Sequence, residues 1–343
     1  MKGLTAMLMT ALMLLAASAR AETWDAAYRA YLFDDTYVHR IDVTVDADAY
    51  RAMAKEPLNK AKLDAEITVD GETYRHVIFS VKGATSLQQV AKFRDLKERY
   101  SYKLRFGSAE GSETYHGLDC FVLNNSVMNA SCMRDMLAYR LFRLAGVPAP
   151  YTAYTELYIN GELRGLYLAV ESEEEAFTAR CFGGGNLYEP EPTFLTEYYA
   201  RRNAEITAEG PTDEAVTLPL PTFPVHYDTP GADLKYTDDD PASYADILNG
   251  ACFAVTDEST AALTGALKRL SEGKIAEAVD ADEVIRYFAA LNLLVSWDSY
   301  MSKMLHNYVL HERNGILSML PWDYDLAFTA MMPAHEGQTE HVL

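Results

Sequence analysis

Asp298, Asn307, Asp323 and Asp325 fall within residues 296–328, which read SWDSYMSKMLHNYVLHERNGILSMLPWDYDLAF. The run HNYVLHE (306–312), the pair Asn314-Gly315 and the run ILSML (316–320) together predict a β-hairpin. A hairpin returns the chain to where it started, so Asn307 at one end and Asp323 at the other become neighbours. Asp298 stands just upstream, after an apolar helical pattern. A carboxylate beside a cluster of amide and carboxylate groups is the donor set that phosphoryl transfer needs. One acid orients the attacking hydroxyl while the others hold Mg²⁺ on the phosphates. The same residues would also suit an acidic hairpin with solvated ends, and this segment alone does not decide between the two.

Phosphoryl transfer also needs a loop over the phosphates and a strand lysine facing them. Lys82-Gly83-Ala84-Thr85-Ser86 is a small, polar loop in which Lys82 brings a cation and Gly83 an open backbone. In SYKLRF (101–106), Tyr102, Leu104 and Phe106 point to one face of a strand, and Lys103 and Arg105 to the other. Each feature alone has an ordinary structural reading as a turn or a solvated strand face. Their order along the chain is that of a kinase: loop, strand lysine, helix, hairpin, helix, acid, asparagine, hairpin, acid. Other chemistries find little support. There is no G-x-S-x-G, the eight histidines fall into no zinc spacing, and the H-R-D and D-F-G motifs of ordinary protein kinases are missing.

The elements that must position these residues read as follows. Alternation predicts strands over 37–45 and 64–69, a turn at Asp70-Gly71, and a strand over 74–81; residues 46–55 read as a helix. Residues 131–144 form an amphipathic helix with Ser131 as N-cap, ended by Gly146 and Pro148. Residues 154–170 make a second hairpin around Asn160-Gly161, and Gly183-Gly184-Gly185 marks a link. From 191 to about 241 the chain is rich in Pro, Thr and Asp with weak periodicity, and reads as an inserted loop region; its Asp238-Asp239-Asp240 triplet reads as a solvated acidic loop rather than a Ca²⁺ site. Helices follow over 259–271 and 282–297, the second capped by Asp280, with Val284, Phe288, Leu291 and Val295 as its apolar stripe. The expected fold class is α+β: a bilobal, atypical protein-kinase-like arrangement. Its β-rich N-terminal lobe would span about 30–180, and its mainly helical C-terminal lobe, carrying the acidic hairpin, about 181–343.

The 343 residues are 49% hydrophobic, enough for a large core. That length fits two domains or one two-lobed unit. Residues 1–21 carry the signature of a secretory signal: Lys2, an apolar run from Leu4 to Ala17, and Ala19-Arg20-Ala21 as a cleavage site. The product expected, residues 22–343, is exported to the periplasm, the cell surface or the medium, without stable membrane insertion after cleavage. Loss of Lys2 and Arg20 with no acids would take the formal net charge from −20 to −22, which argues against a nucleic-acid partner. Cys120, Cys132, Cys181 and Cys252 match no zinc pattern and allow either one or two disulfides or buried free thiols.

With these residues in hand, the chain resembles the CotH family, the spore-coat protein H kinases, which are atypical secreted kinases. The likeness is carried by LFDDTYVHRIDVTV, VKGATS before SYKLRF, SCMRDMLAYRLF, ELYINGELRGLYLAVE and, most specifically, WDSY…HNYVL…LPWDYDLAF. It implies ATP-dependent, Mg²⁺- or Mn²⁺-assisted phosphorylation of Ser or Thr in exported proteins. Asp298 falls at the family's catalytic acid, and Asp323 at its metal-binding acid with Asn307 and Asp325 as helpers. Lys103 falls at the nucleotide lysine, with Lys82 and Gly83 over the phosphates. Glu171 falls at the family's V-E position near the nucleotide, and Arg105 shares the face of Lys103. The chain departs from the family in three places. Glu189 follows Asn186-Leu187-Tyr188 where members carry a lysine. The helix over 131–144 offers Asp135 but no glutamate as partner for Lys103. Relatives also continue past W-D-x-D-L-A-F, which leaves open a C-terminal lobe cut short at Leu343. Two other functions stay open on the same resemblance: a catalytically inactive surface-binding or adhesion protein, and phosphoryl or nucleotidyl transfer to a non-protein acceptor.

Overall fold

The N-terminal strands alternate buried and open side chains because one face of each meets a common core. In the computed structural model, which describes residues 25–108, 112–213 and 231–330, seven of them close into a barrel. The expected leader at 1–21, residues 214–230 of the Pro-rich stretch and the last residues of the chain lie outside the described residues.

The barrel strands are β1 (His39–Val45), β2 (Lys62–Val69), β3 (Glu72–Lys82), β4 (Ser101–Arg105), β5 (Cys120–Asn124), β6 (Thr152–Ile159) and β7 (Glu162–Glu171), in the order β1-β2-β3-β4-β5-β7-β6. All neighbours are antiparallel except the closing pair, β1 with β6, where Ile41 faces Leu157 in parallel register. Ile41, Val43, Ile67, Val69, Phe79, Tyr102, Leu104 and Leu157 fill the interior. The α+β class stands, but closure of the β-rich part into a barrel was not in the sequence reading. Alternation shows which face of a strand is buried, not that the first strand pairs with the sixth.

The remaining elements are helices α1 (Ala47–Lys55), α2 (Thr85–Lys92), α3 (Arg134–Leu144), α4 (Glu175–Phe182), α5 (Thr193–Glu209), α6 (Ala245–Leu248), α7 (Asp257–Ser271) and α8 (Ala281–Leu294), and strands β8 (Asn186–Tyr188), β9 (Tyr308–Arg313) and β10 (Ile316–Pro321). A second core gathers α3, α7, α8 and the β9–β10 hairpin against the outer face of the barrel, through Val122 of β5 and Leu168 and Val170 of β7. The hairpin turns at Asn314-Gly315, where φ values of 56° and 77° are those of the left-handed turn this pair favours. It pairs with β8 to make a three-stranded sheet.

Three local expectations are corrected. Helix α3 starts at Arg134 rather than near Ser131, because Cys132 takes a left-handed φ of 57° that a helix cannot contain. The buried face of α8 is Tyr287, Ala290, Leu291 and Leu294, whereas Val295, with φ 47°, ends the helix in an open position. The stretch read as an inserted loop holds the seventeen-residue helix α5. Only Leu195 and Ile206 of α5 are buried, which explains its weak periodicity, and its first turn is held by Asp246, whose Oδ1 accepts from the backbone N–H and the hydroxyl of Thr193. Helix α5 lies on α2, where Gln88 donates to Asn203 at 2.7 Å and Lys92 pairs with Glu209 at 2.7 Å. All four cysteines are free thiols.

Candidate active site

A cavity of about 520 Å³ opens between the barrel's β3–β5 edge and the β9–β10 hairpin. Lys82, Gly83, Lys103 and Asn124 form its barrel wall, and Asp298, Asn307, Asp323 and Asp325 its opposite wall.

Lys103 reaches the cavity because its neighbours Tyr102 and Leu104 are fully buried inside the barrel, which turns the intervening side chain outward. Its ammonium lies 2.6 Å from Glu174, whose other oxygen lies 2.5 Å from Arg105. Burial alone would raise the Glu174 pKa, but Lys103 and then Arg105 hold it below the ordinary glutamate range. The glutamate sought in α3 as partner for Lys103 therefore comes from the turn that begins α4. Lys82 ends β3, donates to Asn124 Oδ1 at 3.1 Å and sits over the Trp322 ring. Gly83 has φ +103°, and a Cβ there would stand 2.9 Å from Ser86 Oγ, so the loop requires glycine.

The hairpin brings Asn307 and Asp323 together as its register demands, since Tyr308 pairs with Pro321. Both take left-handed φ values, 56° and 53°. Asn307 donates to the backbone carbonyl of Asp298 at 3.1 Å, and the N–H of Asp323 donates to the Tyr139 hydroxyl at 3.0 Å. Asp298 Oδ1 lies 2.6 Å from Nε2 of His306. Burial opposes the charge of this imidazole, but Asp298, with Glu191 beyond it, pushes the His306 pKa up to about 10. At neutral pH His306 is a buried cation that fixes the Asp298 carboxyl.

Asp323 and Asp325 meet a third acid, Asp135 of α3, with one oxygen of each within 4.8 Å of the others. Asp135 is buried, accepting from Tyr324 N at 2.7 Å and from Asn124 Nδ2 at 3.0 Å. Burial, followed by the two neighbouring carboxylates, pushes it well above the ordinary aspartate range. Burial and then Asp323 raise Asp325 to about 6, and burial with Asp298 raises Asp323 against the pull of Lys82. Three crowded carboxyl groups with hard oxygen donors, each resisting ionisation, fit a divalent cation such as Mg²⁺ or Mn²⁺.

Two residues expected at a nucleotide are not brought to the cavity. Glu171 and Arg105 are absent from its wall. Glu171 is wholly buried and bound to Arg180 at 2.5 and 2.8 Å, to the Tyr28 hydroxyl at 2.5 Å and to the Tyr151 N–H at 2.9 Å. That is a structural ion pair. Arg105 is spent on Glu174 beside Lys103. Residues the sequence reading did not single out are Glu174, His306, the carboxyl of Asp135 beside Asp323 and Asp325, and Glu173 and Glu191 in the cavity wall. Of these, only His306, adjoining Asn307 in the hairpin, carried a signal that could have been used.

A family model described as CotH kinase protein matches residues 79–342. The inner spore coat protein H of Bacillus subtilis (strain 168) is 23% identical over 236 residues, 68% of this chain and 55% of that protein. An inner spore coat protein H-like protein of the same organism is 35% identical over 83 residues, 24% of this chain and 25% of its own length. The chain thus spans about half the length of the first of these relatives and a quarter of the second. Among the described residues, no helix is long and apolar enough to cross a membrane.

Proposed function

The chain belongs to the CotH kinase protein family, and from that membership and the facing walls of its cavity we propose that it is a metal-dependent protein kinase of bilobal, kinase-like architecture, acting on Ser or Thr of exported proteins. The observation that carries the proposal is that Lys82 and Lys103 face Asp298, Asp323 and Asp325 across one cavity. Lys103, aimed by Glu174, and Lys82 bind oxygens of the triphosphate. The Gly83 loop lets backbone approach the phosphates. Asp323 and Asp325, with Asn307 and Asp135 beside them, would hold Mg²⁺ or Mn²⁺, which when bound neutralises charge on the phosphate oxygens. Asp298, fixed by His306, orients the acceptor hydroxyl and takes its proton. The Bacillus relatives are named as inner spore coat proteins, which agrees with a place at a spore or cell surface. Glu189, standing in the cavity wall where members carry a lysine, makes the nucleotide more dependent on the cation for charge balance.

Two measurements test this. ATP with Mn²⁺ at 100 times its Kd should stabilise the protein by about 2.7 kcal/mol. Mass spectrometry after incubation with ATP and Mn²⁺ should show phosphate on Ser or Thr. No shift in melting temperature and no adduct would overturn the proposal, while an AMP adduct would replace it with nucleotidyl transfer.

Glu174→Gln should raise the apparent KM for ATP more than it lowers kcat, by roughly tenfold, because Lys103 loses the charge-assisted bond that aims it. The same change should flatten acid denaturation. The pKa of Glu174 is depressed in the fold, so its stabilisation is present above the ordinary glutamate range and is lost as pH falls through the folded value. Melting curves from pH 7 to pH 3 would check it; parallel curves for both proteins would refute it.

A further inference from the structure

Four lysines line the barrel side of the cavity: Lys60, Lys62, Lys82 and Lys103. In a chain with 50 acidic residues against 30 Lys and Arg, that gathers positive charge on one wall. Strand pairing accounts for it. Ser80 of β3 stands opposite Lys62 of β2 on one side and Lys103 of β4 on the other, and residues directly opposite share a face. At about 5 Å per strand, the backbone at Lys62 is roughly 10 Å along the wall from that at Lys103. Two of the four lysines are engaged, Lys103 with Glu174 and Lys82 with Asn124. Lys60 and Lys62 are exposed and, among the described residues, neither has a side-chain hydrogen bond or ion pair. Although Lys60 is exposed overall, desolvation at the cavity and then the charge of Lys82 set its pKa below the ordinary lysine range, against the pull of Glu189 and Glu191. Glu191, whose charge reaches Lys60, also stands 4.0 Å from His306, the residue that fixes Asp298. The unpaired lysines therefore stand toward the end of the cavity where the acceptor hydroxyl meets Asp298. Both precede residues 79–342, so the family match assigns them nothing.

We propose that Lys60 and Lys62 select the acceptor, favouring a Ser or Thr with an anionic side chain two or three residues away. This rests on the phosphotransferase reading above and deepens it. Lys82 and Lys103 meet the triphosphate, and the second pair of cations, one or two strands further along, meets a group carried in by the acceptor. An extended peptide advances about 3.3 Å per residue, so two or three residues cover the distance between the two pairs. Lysine ammonium groups act as point charges, which suits the carboxylate of Asp or Glu and the phosphate of a phosphoserine alike.

The test measures binding of fluorescent serine-centred peptides by anisotropy, in the presence of Mn²⁺ and a non-hydrolysable ATP analogue. The peptides carry Asp, phosphoserine, Asn or Lys two and three residues from the serine on both sides. The wild-type protein should bind the Asp peptide about tenfold more tightly than the Asn peptide, as two partly exposed ion pairs would give, and the Lys peptide no better than the Asn peptide. The preference should fade at high salt. Tighter binding of the phosphoserine peptide than of the Asp peptide marks phosphate as the group recognised; equal or weaker binding marks the carboxylate. The double variant Lys60→Glu/Lys62→Glu should reverse the order in favour of the Lys peptide, with ATP affinity within about threefold of wild type because screening weakens charges that far away. Equal wild-type affinity for the Asp and Asn peptides, or no binding of the Asp peptide, overturns the assignment without any variant. A double variant that loses ATP binding and keeps the peptide order also overturns it, giving these lysines to the nucleotide. If ATP binds and phosphate is transferred without regard to flanking charge, only this inference falls. If ATP neither binds nor gives up phosphate, the phosphotransferase reading falls and takes the inference with it.

Discussion

Asp298→Asn and Asp323→Ala are each expected to lower phosphate transfer from ATP by roughly 10³-fold or more, since positioned charges supply most of the catalysis in this chemistry. The two should fail differently. The amide introduced by Asp298→Asn would still offer His306 an oxygen acceptor, so the cavity keeps its shape and ATP with Mn²⁺ still raises the melting temperature. What is lost is a group able to take the hydroxyl proton. Asp323→Ala would remove one of three crowded carboxyl groups, so the cation-dependent shift disappears. Without metal, however, Asp323→Ala should melt higher than the wild type, by a margin that widens as pH rises. Asp135, Asp323 and Asp325 all have raised pKa values. In the window from the ordinary aspartate range up to the folded values, the native state holds more protons than the unfolded chain, so stability declines with rising pH, and deleting one acid lessens the decline. Calorimetric scans at pH 5 and pH 8, with and without Mn²⁺, read all of this. Wild-type autophosphorylation by both variants would end the mechanism.

Glu171→Ala should lower stability by about 3–5 kcal/mol, the usual cost of leaving one partner of a buried ion pair alone. The guanidinium of Arg180 is 3% exposed and lies 4.0 Å over the Tyr151 ring, so it would be left shielded from bulk water. At roughly 1–2 °C for each kcal/mol in a chain this long, the melting temperature should drop by about 4–7 °C. ATP affinity of the folded fraction should stay within about twofold, because Glu171 is absent from the cavity wall. An unchanged melting temperature with weakened ATP binding would return Glu171 to the nucleotide and contradict its structural role.

What could be read in the sequence was local. Asp70-Gly71, Asn160-Gly161 and Asn314-Gly315 each sit at the turn of an observed hairpin, and the alternation of SYKLRF is enough to place Lys103 on the outer face of its strand. The hairpin register then puts Asn307 beside Asp323. The convergences made across the chain were not readable. Asp135 lies 188 positions before Asp323 and faces it only because α3 packs beneath the hairpin. Glu174 reaches Lys103 because β5 and β7 run side by side, and no pattern within either strand says so. Helix α5 buries two side chains in seventeen residues, too few to leave a period. The V-E position of Glu171 suggested a ligand; the cation nine residues later, Arg180, was the partner it had.

Strand β5 presents Phe121 and Leu123 to the barrel interior and Val122 to the helices behind it, so one five-residue segment is a shared partition between two cores. Neither half can melt and leave the other intact, because the survivor would show water a bare apolar wall. Splitting the gene at the triple glycine should therefore give two insoluble products, and calorimetry of the whole chain a single cooperative peak.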